Sequence, residues 1–380
     1  MTMEMVEKNK TYTEIEIFQQ PEVWKKVFEE IQGQRDGIGK FLSSHLSNAN
    51  TTILLTGAGS SAFVGESVEL VIAEATGLNT RAIATTDLVT HPEAVDPLSD
   101  TPVILISFAR SGNSPESVET VKLLEARLGK LKHLVITCNP DGALAKMAER
   151  DSSTHYCIVL PEETNDKSLA MTSSFSSMLL SSLLVFNLDK LDEAQAWVEH
   201  VGKETSKIFD NVEFLKDLAR LDFDRAIFLG SGPLLGIANE CHLKLQELTD
   251  GQVICKHDSC LGFRHGPRAV VKENTLLVFF LSPDAHVAKY ENDLVSSIVQ
   301  GGGYLDMVLV GQESESMESN YMVPVNKHPN DVAGVFILPY VVIGQLLGLY
   351  KSQELGLNPD NPSVNGAISR VVQGVTIYQK

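Results

Sequence analysis

Residues 52–61 read TILLTGAGSS and residues 226–233 read AIFLGSGP, so two apolar stretches of the chain each end in a Gly-x-Gly turn. The two turns lie 173 residues apart, and two further apolar stretches keep the same offset. The corresponding positions are Gly57 with Gly230, Val103 with Leu276, and Leu134 with Met307. A constant offset over three successive stretches predicts an internal duplication.

Short apolar runs alternate with longer segments of helical periodicity, which is typical of βα units around a buried parallel sheet. The predicted strands of the first half are Thr52–Thr56, Val103–Phe108, Leu134–Cys138 and Tyr156–Leu160, and those of the second half are Ala226–Leu229, Leu276–Leu281, Met307–Val310 and Tyr321–Val325. The fold class is therefore α/β. We expect a helical lead-in at 1–50, a first domain at 51–200 and a second domain at 201–380.

The charge of the chain excludes several classes of partner. It carries 31 Lys and Arg against 49 Asp and Glu, a formal net charge of −18. Such a field repels nucleic acid and anionic membrane surfaces, so neither is expected as a partner. Any phosphorylated ligand must be held by local features, such as backbone N–H groups at a helix start.

Cysteine usage and the N-terminal sequence predict a cytoplasmic location. The five cysteines are sparse and odd in number, which suits a reducing compartment. The first 16 residues are acidic and lack the pattern of a secretory signal. The apolar stretch 335–350 is too short and interrupted to span a bilayer, so a buried helix is expected there.

Two strand-to-helix turns of the first half carry glycines and hydroxyl side chains. In the turn at 57–61, glycines allow close approach of a ligand to the backbone, and two serines follow. In the turn at 109–116, ARSGNSPE, Pro115 suits the first helical position and makes Ser114 the N-cap. This second turn predicts a small anion cradle, with a well-capped helix in a polar turn as the alternative.

The second half carries a different set of polar residues. The repeat places Asp284 at the position of Ser111, and a carboxylate there would oppose a phosphate, so anion binding is expected in the first half only. The helix after Pro233 carries Glu240, Lys244 and Glu247 on one face. A solvated, salt-bridged helix face is the alternative interpretation. A loop with His265 follows.

Together the GAGSS turn, the SGNS turn, the helix with Glu240, Lys244 and Glu247, and the HGP tripeptide at 265–267 resemble the tandem sugar-isomerase (SIS) domain family over nearly the whole chain. The resemblance implies two SIS domains, each a parallel sheet flanked by helices in a flavodoxin-like three-layer sandwich, as in the isomerase half of glucosamine-6-phosphate synthase. The organisation is most similar to bacterial members with tagatose-6-phosphate ketose/aldose isomerase or galactosamine-6-phosphate deaminase activity. It implies conversion of D-galactosamine 6-phosphate to D-tagatose 6-phosphate and ammonia.

The resemblance also implies roles for individual residues. Glu247 would move the proton between C1 and C2, and His265, contributed by a second subunit, would help to open the sugar ring. The implied substrate-binding residues are Gly59, Ser60, Ser61, Arg110, Ser111, Asn113, Ser114, Thr172, Ser173, Lys244 and Arg370. The expected partner is a phosphorylated hexose or hexosamine, the expected assembly is a homodimer or higher homo-oligomer, and no metal or cofactor is expected.

Several alternatives remain open from the sequence. The enzyme could be a ketose/aldose isomerase without deamination, or a glucosamine-6-phosphate deaminase. A sugar-phosphate sensor is a further possibility, although a sensor needs neither Glu247 nor His265. Cys255, His257, Cys260 and His265 are spaced unlike any common zinc site.

Overall fold

Two five-stranded parallel sheets organise the residues that the computed structural model describes, 10–312, 321–372 and 374–378. The first sheet contains β1 (Thr52–Thr56), β2 (Asn79–Ala82), β3 (Val103–Ala109), β4 (Leu131–Thr137) and β5 (His155–Val159). The second contains β6 (Arg225–Leu229), β7 (Ile254–Asp258), β8 (Thr275–Phe280), β9 (Asp306–Gly311) and β10 (Tyr321–Pro324). The α/β prediction with two similar sheets is confirmed.

The two sheets have the same topology. Their strand orders are β2-β1-β3-β4-β5 and β7-β6-β8-β9-β10, and every pairing between neighbours is parallel. The second half therefore repeats the strand order of the first, as expected for an internal duplication. In each sheet the second strand along the chain lies on one side of the first strand, and the third strand lies on the other side. The connections that follow these strands therefore diverge and leave a crevice at the carboxyl ends of the strands.

The helices cover both faces of the sheets. The lead-in contains α1 (Tyr12–Phe18), α2 (Gln20–Gly33) and α3 (Arg35–Leu46). The first half contains α4 (Ser60–Thr76), α5 (Thr85–Thr90), α6 (Pro115–Arg127), α7 (Ala143–Ala148) and α8 (Ser173–Val185), and α9 (Leu191–Asp210) and α10 (Glu213–Arg220) follow. The second half contains α11 (Pro233–Leu248), α12 (Cys260–Phe263), α13 (Ala285–Gly301) and α14 (Leu338–Glu354). Short 3₁₀ segments lie at Pro92–Leu98, Glu162–Thr164, Leu188–Lys190, Pro267–Val270 and Val335–Ile337.

All eight predicted strands are present, and two short strands were missed. These are β2, with the sequence NTRA, and β7, with the sequence ICKHD. Both lie at a sheet edge and are only partly buried, so they lack the apolar run that identifies the inner strands. Short polar strands give little signal in a single sequence.

The apolar stretch near the C-terminus is a core helix. Residues Val335–Glu354 are long and apolar enough to cross a membrane, but 94% of the most apolar window is buried inside the protein. Helix α14 packs closely on α11, because a Cβ at Gly344 would come within 2.4 Å of the Cys241 Cβ. The prediction of a buried helix is confirmed.

The two halves meet along α4 and α11. A Cβ at Gly236 of α11 would lie 2.5 Å from the Ser67 nitrogen of α4, so the glycine permits close packing of the two helices. One hydrophobic cluster includes residues of both sheets and of the lead-in helices. This contact brings the helix start at Ser60 beside the polar face of α11.

Candidate active site

The Gly-x-Gly turns have nearly the same backbone conformation in both halves. Gly59 has φ 56° and ψ −130°, and Gly232 has φ 56° and ψ −126°. This left-handed region favours glycine. A Cβ at Gly57 would lie 2.5 Å from the Ser61 backbone, and Gly230 is equally close to the helix that follows it. Each turn therefore needs both of its glycines.

In the first half, the two polar turns form the walls of one pocket of about 110 Å³. The pocket lies where β1 and β3 end, at the crevice between the reversing strands. Its described lining residues are Ala58, Ser61, Phe108, Ala109, Arg110, Ser111, Gly112, Ser114, Glu116, Ser117, Met171, Arg370, Val371 and Val372. Five predicted substrate-binding residues thus come together here: Ser61, Arg110, Ser111, Ser114 and Arg370.

The start of α6 is open toward this pocket. Ser114 is the N-cap and Pro115 the first helical residue, as predicted. The Ser114 hydroxyl donates to Ser117 Oγ at 2.6 Å, and no side chain among the described residues caps the helix. The N–H groups of the first turn, with the positive end of the helix dipole, remain free to bind an anion.

In the second half, the equivalent helix start is occupied by a carboxylate of the protein itself. Asp284 caps α13, since its Oδ1 accepts from the backbone nitrogens of His286 at 2.8 Å and Val287 at 3.0 Å. These hydrogen bonds lower the pKa of Asp284, which keeps it ionised. The geometry supports the expectation that anion binding belongs to the first half.

The side-chain oxygen of Asn113 supports a neighbouring turn. Its Oδ1 accepts from the Ala143 nitrogen at 2.9 Å and so supports the start of α7. Asn139 Nδ2 donates to the Ser111 carbonyl at 2.9 Å. This hydrogen bond uses the oxygen of the Asn113 side chain, and its contact with the substrate stays a prediction.

The two arginines of the pocket hold backbone segments together. The buried Arg110 guanidinium donates to the carbonyls of residues 168–170 at 3.1 to 3.4 Å and to the Arg370 carbonyl. Burial lowers the pKa of Arg110 from its ordinary value. Arg370 Nε donates to the Asp166 carbonyl at 2.8 Å. These contacts hold the pocket wall in place. They use N–H groups of Arg110 and Arg370, two residues that the sequence analysis assigned to substrate binding.

Thr172 and Ser173 lie behind this wall and are fully buried. The Thr172 hydroxyl donates to Asp166 Oδ1 at 3.0 Å, and the nitrogens of both residues also donate to that carboxylate, at 2.7 and 3.1 Å. Asp166 therefore occupies the start of α8. The described hydrogen bonds of both predicted ligand residues are made within the protein.

Lys244 connects the two halves. Its Nζ lies 3.1 Å from Ser60 Oγ in the first half, pairs directly with Glu247, and lies 3.3 Å from Glu240 Oε1. The Lys244 side chain is only 1% exposed, and that of Glu247 is 14% exposed. The polar face of α11 is therefore an internal site, and the interpretation as a solvated helix face is wrong.

The charges of this cluster depend on burial. Burial acts to lower the pKa of Lys244, but Glu240 and Glu247 outweigh it, so the pKa is raised and the ammonium persists. Burial raises the pKa of the Glu240 carboxyl to about 7, against the opposing effect of Lys244. Of the two carboxyl groups beside Lys244, that of Glu247 is partly accessible and that of Glu240 is fully buried.

His265 lies at the surface of the single chain. It is exposed in the loop after α12, where its backbone nitrogen donates to the Gly262 carbonyl at 2.9 Å. Among the described residues, its ring has no hydrogen-bond or ion-pair partner. The structure therefore brings Ser60, Lys244 and Glu247 together and leaves His265 at the surface.

The alternative of a zinc site finds no support in the described residues, where no three His, Cys, Asp or Glu side chains are grouped to hold a metal ion. All five cysteines are free thiols. Cys241 is buried in the core, with its Sγ 3.6 Å from the Val341 carbonyl.

Sequence reasoning missed several parts of the site. Met171, Val371 and Val372 line the pocket, but apolar residues in loops carry no signal of such a role. The contact between Ser60 and Lys244 joins residues 184 positions apart, so no local pattern could reveal it. Glu116 also lines the pocket, and its place inside the SGNSPE turn was the available signal.

Comparison with known proteins places these features in a family. Residues 45–188 match the SIS domain model. The D-galactosamine-6-phosphate deaminase AgaS of Shewanella sp. (strain ANA-3) is 38% identical over 372 residues, which cover 97% of this chain and 92% of the relative. The AgaS deaminase of Escherichia coli is 37% identical, over 97% of this chain and 96% of the relative.

Solved structures of other proteins share this fold over nearly the whole chain. The tagatose-6-phosphate ketose/aldose isomerase of Escherichia coli superimposes with a TM-score of 0.88 at 33% identity, covering 98% of each chain. The C-terminal domain of the glucosamine-fructose-6-phosphate aminotransferase of Francisella tularensis has a TM-score of 0.76 at 16% identity, covering 92% of this chain and 98% of that one, and so shares the fold. Relatives of nearly equal length are named as enzymes, which confirms that the chain is an enzyme. On these grounds the chain belongs to the SIS domain family.

Proposed function

We propose that this enzyme converts D-galactosamine 6-phosphate to D-tagatose 6-phosphate and ammonia. The observation that carries the proposal is the contact of Lys244 with both Ser60 and Glu247, which sets a carboxylate of the second half beside the anion pocket of the first. The names of the relatives, which span nearly the whole chain, support this substrate.

The phosphate binds in the pocket of the first half. Ser61, Ser111 and Ser114 supply hydroxyl groups, and the uncapped start of α6 supplies backbone N–H groups. Arg110 and Arg370 add positive charge while their hydrogen bonds hold the wall in place. Local donors thus overcome the negative charge of the whole chain.

Glu247 transfers the proton. In the open-chain aldose it takes the proton from C2, and the electron pair of that C–H bond forms a C1–C2 double bond. The π pair of the C1 carbonyl moves to its oxygen, which takes a proton from water, and the product is an enolamine. The same carboxyl returns the proton to C1, which binds it with the pair of the C1–C2 π bond. The nitrogen lone pair forms the C2–N double bond of an imine, and the nitrogen releases a proton to the hydroxide. Water adds to the imine carbon, and ammonia leaves as the C2 carbonyl forms, so the overall step is a hydrolysis of the carbon–nitrogen bond.

Ring opening precedes this transfer. We assign it to His265, because an imidazole can take up and release a proton near neutral pH and so pass it between the ring oxygen and the hydroxyl. Its exposure in the single chain favours delivery from a second copy in a homodimer, so that each site contains residues of two subunits. We propose a cytoplasmic location, where sugar phosphates are metabolised.

The test is an assay of the purified protein with galactosamine 6-phosphate and with glucosamine 6-phosphate. We expect ammonia and a ketose phosphate in equal amounts from galactosamine 6-phosphate, with slower release from the gluco epimer. A protein that releases no ammonia from either compound is not this deaminase.

A second candidate is aldose–ketose isomerisation without deamination, which the name of the Escherichia coli structure favours. The same base and the same phosphate pocket serve both reactions. Formation of a ketose from an unaminated aldose phosphate, together with the absence of ammonia from the amino sugars, would select the isomerase.

A further inference from the structure

An acid in the wall of the phosphate pocket has no role in the proposed chemistry. Glu116 is the second residue of α6 and lines the pocket with Ser61 and Ser111. Its Oε2 atom is buried, and no group among the described residues donates a hydrogen bond to it. A buried carboxylate oxygen without a donor is unfavourable, so this position becomes favourable when a ligand supplies the donor.

The phosphate itself is not that ligand group. A carboxylate repels a phosphate, whereas the serine hydroxyls and the N–H groups at the start of α6 attract it. The guanidinium groups of Arg110 and Arg370 already donate to backbone carbonyls. Among the described lining residues, Glu116 is the one carboxylate, and its unpaired oxygen can accept a hydrogen bond from a hydroxyl of the sugar.

The position of Glu116 along the ligand indicates which hydroxyl it meets. The phosphate ester is on C6 and the proton transfer occurs at C1 and C2, so the ends of the sugar lie toward the pocket and toward Glu247. Galactose and glucose differ only at C4, two carbons from the ester. A residue that distinguishes these epimers must therefore lie beside the phosphate pocket.

We propose that Glu116 accepts a hydrogen bond from the C4 hydroxyl in the galacto configuration and so sets the epimer preference of the enzyme. This inference rests on the proposed function for its choice of sugar. A site that hydrogen-bonds a substrate hydroxyl discriminates strongly against an analogue that cannot make the bond, because the polar group of the site is then left unpaired.

The experiment measures binding, which is independent of deamination. D-Tagatose 6-phosphate and D-fructose 6-phosphate differ only at C4, and calorimetry gives the affinity of each for the wild type, for Glu116→Ala and for Glu116→Gln. We expect the wild type to prefer tagatose 6-phosphate. In the alanine variant, the ratio of the affinity for tagatose 6-phosphate to that for fructose 6-phosphate should fall about 10–100-fold. This is the effect expected for the loss of a hydrogen bond to a charged group.

Two controls separate this role from a structural one. Glu119→Gln changes a carboxylate of the same helix that pairs with Lys122 at 3.6 Å and does not line the pocket, so both affinities should stay unchanged. The glutamine variant of Glu116 keeps an oxygen acceptor, and its preference should fall between wild type and alanine. Thermal unfolding checks that each variant is folded.

The proposal is overturned if Glu116→Ala weakens both sugars by the same factor, or if the wild type binds them equally, prefers fructose 6-phosphate or binds neither. These results are distinct from failure of the proposed function. Deamination alone is contradicted if the wild type prefers tagatose 6-phosphate, Glu116→Ala loses that preference, and the wild type releases no ammonia. The role of Glu116 alone is contradicted if the wild type releases ammonia but Glu116→Ala keeps the same relative affinity for the two sugars.

Discussion

Replacement of Glu240 by glutamine should remove a pH-dependent cost of folding. Glu240 is fully buried, and burial raises the pKa of its carboxyl from 4.5 to about 7. Because the folded state binds this proton more tightly than the unfolded state, the group destabilises the fold as the pH rises from about 4.5 to 7. A pKa difference of about 2.5 between the two states corresponds to about 3 kcal/mol.

The assay is urea unfolding of the wild type and of Glu240→Gln at intervals between about pH 4.5 and 8. Glutamine has the shape of the protonated acid and does not titrate, so the two proteins should have similar unfolding free energies at the acidic end of this range. The variant should become more stable than the wild type by up to about 3 kcal/mol above about pH 7. Taking the difference between the two proteins cancels the other titrating groups.

Exposed Glu22 provides the matched control, since it pairs with Lys25 at the surface. Glu22→Gln should change the unfolding free energy only slightly at each pH of the series, because an exposed ion pair contributes little to stability. The reasoning about Glu240 is refuted if its glutamine variant shows an equally flat difference, or if the variant loses stability as the pH rises. A flat difference would mean that Lys244 keeps Glu240 ionised throughout the range.

Glu247→Gln should abolish turnover while ligand affinity, measured by calorimetry, stays within a few-fold of wild type; full activity would exclude it as the base. Combining Ser111→Ala with Ser114→Ala should weaken ligand binding by about 0.5–3 kcal/mol per lost bond, and unchanged affinity would place the phosphate elsewhere. Asp284→Ala should lower the unfolding free energy through loss of a helix cap, with sugar-phosphate affinity unchanged; weaker binding would show that the second half also holds the ligand. Mixing inactive Glu247→Gln with inactive His265→Ala should restore activity in mixed dimers, and no recovery would contradict a site shared between subunits.

The inner strands and the main turns were predictable because their signals are local. β1 and β3 are continuous apolar runs followed by glycine or polar residues, and the spacing of Glu240, Lys244 and Glu247 places them on one helix face. The repeat at a constant offset also predicted the second sheet.

The destinations of the polar side chains were not predictable in the same way. Asn113 and Thr172 have the residue types of ligand contacts, but neighbouring segments of the chain use them to support a helix start or to bind Asp166. The burial of Lys244 depends on the packing of α11 on α4, which the periodicity of either helix alone does not reveal. Such assignments require the tertiary structure.

The proposed mechanism divides the work between the halves, with the phosphate held by the first and the base supplied by the second. A crystal structure of Glu247→Gln with bound D-tagatose 6-phosphate tests this division most directly. We expect the phosphate at the start of α6, beside Ser111 and Ser114, with C1 and C2 next to residue 247. A phosphate bound at the start of α13, or sugar carbons C1 and C2 out of reach of residue 247, would contradict it.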